Sequence, residues 1–129
     1  MFHLDEERGM NVRSVATCQI KLYLSGPIDV AKQIIREFCM VGLCVTIEPT
    51  QFIYTGGEES GYVVGLLNYP RFPDTPENLE ARARELSEKL LKGTFQTSAL
   101  MVSNNLTTWI TTREVDPSTL PSSASITGE

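Results

Sequence analysis

Residues 62–67 read Tyr62-Val63-Val64-Gly65-Leu66-Leu67. Apolar side chains fall on both alternating sets. That is the pattern of a central strand, or of one covered on both faces. Its neighbours read differently. Upstream, Cys18, Ile20, Leu22 and Leu24 alternate with Thr17, Gln19, Lys21 and Tyr23, as in a half-buried strand. Ser25-Gly26-Pro27 breaks that strand and supplies a helix start. Ile28, Ala31, Ile35, Phe38 and Cys39 then recur at helical spacing, and Gly42 stops the run. Leu43-Cys44-Val45-Thr46-Ile47 is rich in β-branched residues; Pro49 interrupts it and Phe52-Ile53-Tyr54 resumes it. Proline cannot donate to a ladder, so this strand belongs at an edge or a bulge.

Downstream, the connector Asn68-Tyr69-Pro70-Arg71-Phe72-Pro73 leads to Thr75, a helix cap with Pro76 at the first helical position. Leu79, Ala83, Leu86 and Leu90 form the apolar stripe, and Gly93 is the expected stop. Glu80–Arg84, Glu85–Lys89 and Glu88–Lys92 are i,i+4 pairs on a solvated face. Ser98–Val102 reads as a strand, Asn104-Asn105 as a tight hairpin, and Leu106, Thr108 and Ile110 as one face of a last strand ending near Arg113.

The order strand-helix-strand, strand-helix-strand, plus one strand predicts an α+β fold. It is a ferredoxin-like βαββαβ sandwich with an added C-terminal strand, an antiparallel sheet with two helices on one face. The 62–67 strand becomes central and the Pro49 strand an edge. The competing arrangement is an open sheet with another strand order. One end of the sandwich should gather Ser25-Gly26-Pro27, Thr55–Gly61, Lys92–Thr94 and Arg113. The other should gather Gly42, Asn68–Asp74 and Ser103-Asn104-Asn105.

The chain of 129 residues divides into an N-terminal arm, 1–14, read as flexible; one α+β domain, 15–113; and a Ser/Pro-rich acidic tail, 114–129, read as disordered. Net charge is −5. Setting aside Arg8, Arg13, Asp5, Glu6, Glu7, Glu114, Asp116 and Glu129, nine basic residues of 11 and ten acidic of 16 remain, so the body is near −1. No basic stripe exists for phosphate backbones, which argues against nucleic acid. No apolar run is long enough for a bilayer, and the first 15 residues lack a signal-peptide core, so a cytoplasmic setting without a membrane partner is expected. Cys18, Cys39 and Cys44 lie in apolar segments without C-x-x-C spacing and read as small buried hydrophobes.

Two stretches invite a functional reading. Thr55-Gly56-Gly57-Glu58-Glu59-Ser60-Gly61 is first of all a glycine turn with a wet tip. Beside a helix N-terminus it would also suit a small ligand, held by Ser25, Gly26, Tyr54, Thr55, Gly56, Gly57, Glu58 and Lys92. The connector Asn68–Pro73 is first of all rigid scaffolding with its aromatics tucked under the second helix. Asn68, Tyr69, Arg71 and Phe72, with Trp109, are the candidate partner-binding residues.

His3 is the single histidine, which disfavours Ser-His or Cys-His relays and histidine zinc sites; no P-loop or G-x-G-x-x-G occurs, and no cofactor or metal is indicated. Acid–base work would fall to Glu58 or Glu59, or to Glu48, with Tyr54 or Tyr62 nearby. Tyr23-Leu24-Ser25-Gly26-Pro27-Ile28 resembles the Y-L-x-G-P-I opening of nucleoside deoxyribosyltransferases. That resemblance implies a glutamate nucleophile in a parallel-sheet fold. It spans six residues, finds no matching glutamate context here, and is read as a strand end meeting a helix start.

The leading expectation is a small non-catalytic cytosolic binding or regulatory protein, of an accessory or phage-encoded kind. It would act through a protein partner or a small-ligand pocket near the glycine loop. The second is a small enzyme acting on a nucleotide- or sugar-like metabolite, with Glu58 or Glu59 as acid/base. A homo-oligomer, a dimer in the simplest case, is expected in either case. Two helices cover one sheet face, and the 62–67 strand has apolar residues for both.

Overall fold

A computed structural model describes residues 2–5 and 9–113. The tail 114–129, read as disordered, and residues 1 and 6–8 of the arm, read as flexible, lie outside the described residues. Phe2–Asp5 (β1) and Met10–Arg13 (β2) form an antiparallel two-stranded ladder of their own. Nothing in the periodicity of residues 1–14 announced it. The rest is one α+β unit: Gln19–Ser25 (β3), Ile28–Phe38 (α1), Val45–Tyr54 (β4), Gly57–Leu67 (β5), Pro76–Thr94 (α2), Ser98–Val102 (β6) and Thr107–Thr111 (β7).

The five-stranded sheet has the order β4-β5-β3-β6-β7, all antiparallel. This is the expected ferredoxin-like order with β7 added beyond β6. β3 and β5 are central and β4 is an edge. The antiparallel sheet also departs from the parallel fold that the deoxyribosyltransferase resemblance implied.

Both helices pack on one face. Ile20, Leu22 and Leu24 of β3, Tyr62, Val64 and Leu66 of β5, and Ala99 and Met101 of β6 are buried there. Against them lie Ala31 and Ile35 of α1 and Leu79, Ala83, Leu86, Leu90 and Leu91 of α2. Each fully buried Leu or Ile contributes roughly 1.5–3 kcal/mol by leaving water. Among the described residues no helix covers the opposite face. Val63 and Gly65 are half-buried there, and Leu67 is exposed.

Four local readings are corrected. Pro49 does not interrupt its strand; β4 runs unbroken for ten residues, with Pro49 opposite Tyr62. Gly93 does not stop α2. The helix continues to Thr94, and Phe95 takes the left-handed conformation at φ 58°. A side chain at 93 would meet the Ile34 Cδ1 atom of α1, which would have to move aside. The three i,i+4 pairs stay open; among the described residues Arg82–Asp74, at 3.4 Å, is the ion pair that closes. Of the cysteines only Cys18 is buried, Cys44 is exposed, and all three are free thiols.

Thr75 caps α2 as expected, accepting from Asn78 N at 3.1 Å. Tyr62 is wholly buried, and its hydroxyl makes no hydrogen bond. Burial pushes its pKa up to about 12, against a smaller downward pull from Thr94. Thr94 spends its own proton on Leu90 O at 2.7 Å.

Candidate functional site

The glycine stretch is not a seven-residue loop. Thr55 and Gly56 alone make the turn, with Gly56 at φ 83°, and β5 starts at Gly57. Because Gly61 pairs with Ser25 at the end of β3, the β4–β5 hairpin runs on past the sheet. Four further residues carry it about 13 Å beyond the body. Ser60 is the residue beside the helix start, its carbonyl accepting from Gly26 N at 3.3 Å. The glycine tip stands away from that start.

Cross-strand partners in an antiparallel ladder share a face. On the helix-free face this aligns Trp109, Leu100, Tyr23, Val63 and Glu48 across the sheet. On the overhang it sets Phe52 opposite Glu59 and Tyr54 opposite Gly57. Between the overhang and the β3–β6–β7 end lies an open concavity of about 370 Å³. Tyr23, Phe52, Tyr54 and Trp109 give it four aromatic side chains; Ser25 and Ser98 add hydroxyls, and Glu59 adds one carboxylate. Ser98 Oγ lies 2.9 Å from Thr111 Oγ1, which fixes the rim on the β7 side. Among the described residues no lysine or arginine lines the concavity. Aromatic walls with one carboxylate suit a flat ring and a cation, and disfavour a phosphate.

The sequence-derived residues scatter. Tyr54 and Ser25 line this groove, and so does Glu59. Alternation places Glu58 on the other face of the hairpin. Gly26 lines a different concavity, of about 560 Å³, on the helix side with Pro49, Gln51 and Gly61. Thr55, Gly56, Gly57, Glu58 and Lys92 line neither. Trp109, read as a partner contact, belongs to the groove wall.

The rest of that partner set sits at the opposite end of the sandwich. Asn68 is engaged internally: its side chain donates to Ala16 O at 2.7 Å and accepts from Asp74 N at 2.8 Å. Tyr69 and Phe72 are not tucked under α2. They are exposed, 6.0 Å apart between ring centroids, with Arg71 5.8 Å above the Phe72 ring. Asp74 is held below the usual carboxylate range, first by the Thr75 N–H at 2.8 Å, with Asn78 and Arg82 assisting.

Phe52, Ser98 and Leu100 were not singled out from sequence. Phe52 was within reach, because it shares the parity of Tyr54 two residues on. Ser98 and Leu100 depend on the β3–β6 register, which no local pattern encodes.

No protein-family model matches the chain, and no curated protein matches it in sequence. The fold is similar to two solved structures of a phage SAM lyase. For the apo form the TM-score is 0.58 at 14% identity, covering 77% of this chain and 92% of that one. For the complex with S-methyl-5′-thioadenosine it is 0.62 at 13% identity, covering 83% and 98%. Both are structures of an enzyme, and this overturns the expectation of a non-catalytic binding protein. No helix among the described residues is long and apolar enough to cross a membrane.

Proposed function

We propose that the chain is a small enzyme acting in the helix-free groove on a cationic sulfonium nucleoside of the SAM type, with a thioether nucleoside as product. The supporting observation is the groove's chemistry: four aromatic side chains with one carboxylate and, among the described residues, no cation. It sits on a fold shared with a lyase solved with S-methyl-5′-thioadenosine. Phe52, Tyr54 and Trp109 offer ring faces for a purine, each stacked base being worth about 1–3 kcal/mol. Ser25, Ser98 and the tyrosine hydroxyls offer partners for ribose oxygens.

Glu59 is the candidate base, in place of the undivided Glu58/Glu59 pair. It takes a proton from the carbon next to the one bonded to sulfur. A carbon–carbon double bond forms, the carbon–sulfur bond breaks, and its electron pair goes to sulfur. The carboxylate and the sulfonium lose their charges together. Excluding water from the groove would favour such a step, since separated charges are costly in a dry site.

The groove is open along its length, whereas ligand sites enclose most of a small ligand. We therefore propose a second copy of the chain across the helix-free face, where Trp109 is 52% and Tyr54 55% exposed. Light scattering at micromolar concentration tests that assembly, and a monodisperse monomer contradicts it. The three free thiols fit a reducing cytoplasm.

The activity test is incubation with SAM and chromatographic detection of S-methyl-5′-thioadenosine. Glu59→Gln should lower turnover about 10²–10⁴-fold, the usual contribution of a positioned base. Glu58→Gln should leave it within about twofold, as expected for an exposed residue outside the groove. Equal losses in both variants, or no product from the wild-type chain, would refute the assignment.

A further inference from the structure

On the helix-free face β5 presents Gly57, Glu59, Gly61, Val63 and Gly65, with glycine at every fourth residue. Glycine inside a strand weakens it, so its presence calls for a reason. A positive φ is not the reason at 57 or 61. The glycines with positive φ are Gly9, Gly26, Gly42 and Gly56. What both positions lack is room. A Cβ at 61 would strike the backbone carbonyl of Leu24 first, and would also stand 2.5 Å from Phe52 Cε2. A Cβ at 57 would stand 3.1 Å from Tyr54 Cε2 and 3.4 Å from its Cζ and hydroxyl. Each aromatic ring occupies space that a glycine of β5 leaves empty, Tyr54 over its cross-strand partner Gly57 and Phe52 over the diagonal neighbour Gly61. The two rings belong to the groove, and Glu59 lies between the two glycines on the same face.

We infer that Gly57 and Gly61 are positioning residues that hold the Tyr54 and Phe52 rings down over β5, and so set the depth of the groove on either side of Glu59. This rests on the reading of the groove as a nucleoside site. Gly65 provides the control. A Cβ there would meet Thr46 Oγ1 at 2.5 Å, and Thr46 does not line the groove.

The test has a ligand-free part and a binding part. In the free protein, proton NMR should show the Hα signals of Gly57 and Gly61 shifted upfield by the rings above them. Tyr54→Leu should return the first to the ordinary range, and Phe52→Leu the second. Calorimetric titration with S-methyl-5′-thioadenosine follows on wild type, Gly57→Val and Gly65→Ala. Gly57→Val is preferred to a change at 61 because no backbone atom crowds position 57. It should weaken binding about tenfold, the scale of one lost stacking contact, and Gly65→Ala should not.

Ordinary Hα shifts overturn the inference whatever the ligand does. Upfield shifts with unchanged affinity in Gly57→Val overturn the positioning role. If both signals lie upfield but wild type takes up no nucleoside, the nucleoside reading falls while the seating of the rings stands.

Discussion

Leu22 and Tyr23 are consecutive in β3, yet they live on opposite sides of the molecule. Leu22 is wholly buried under the helices, while Tyr23 is half-exposed on the helix-free face. The same contrast holds across the sheet, with Met101 buried and Leu100 and Trp109 exposed. One face is filled by interchangeable aliphatic volume and carries the stability. The other holds rings, hydroxyls and one carboxylate in a groove, and little of the folding free energy depends on it. A protein of this size with one helical layer can specialise its two sheet faces in this way, because each strand addresses both.

The largest effect should come from breaking the covered face. Leu22→Ala should cost about 2–5 kcal/mol, the range for a buried leucine leaving a cavity. It would be read as a lower denaturant midpoint with an unchanged slope. Leu100→Ala on the open face, where the side chain is 37% exposed, should cost under about 1 kcal/mol. Equal costs would erase the distinction.

Next comes a polar flaw in the covered face. Tyr62→Phe removes a buried hydroxyl without a partner and should stabilise by about 1 kcal/mol near neutral pH. The pH dependence sharpens this. The folded-state pKa of Tyr62 is raised from 10.0 to about 12. The neutral phenol is therefore the form that folding favours. The stability linked to it is complete below pH 10 and is lost as pH rises toward 12. Tyr62→Phe should show a shallower alkaline decline in thermal unfolding over that window.

The smallest effect lies at the end of the covering layer. Phe95 is 92% exposed and holds a left-handed backbone that glycine adopts without strain. Phe95→Gly should raise stability by about 0.5–1 kcal/mol, because α2 then gains the cap that sequence reasoning assigned to Gly93. A loss of stability would show that the phenyl ring makes a contact the fold needs.

The layer order was legible because period and chain order are local signals. Tyr62–Leu67 declared a central strand, Pro49 an edge, and Thr75-Pro76 a helix start. What escaped depended on register or on close approach. Gly93 reads as a stop by composition, yet it lies inside α2 with the end of the Ile34 side chain packed over it. The Thr55–Gly61 glycines read as a loop, since no local rule says that Phe52 and Tyr54 will fill the space over Gly61 and Gly57. Glu58 and Glu59 are indistinguishable as a pair. Only the ladder, with Phe52 opposite Glu59 and Ile53 opposite Glu58, assigns one of them to the groove.

Amide chemical-shift mapping with S-methyl-5′-thioadenosine tests the central claim most directly, because it locates the ligand without requiring turnover. The account predicts that the shifts concentrate on Tyr23, Ser25, Phe52, Glu59 and Trp109. Shifts confined to the helix side, around Gly26, Gln51 and Ser60, or to the Asn68–Asp74 end, would contradict it.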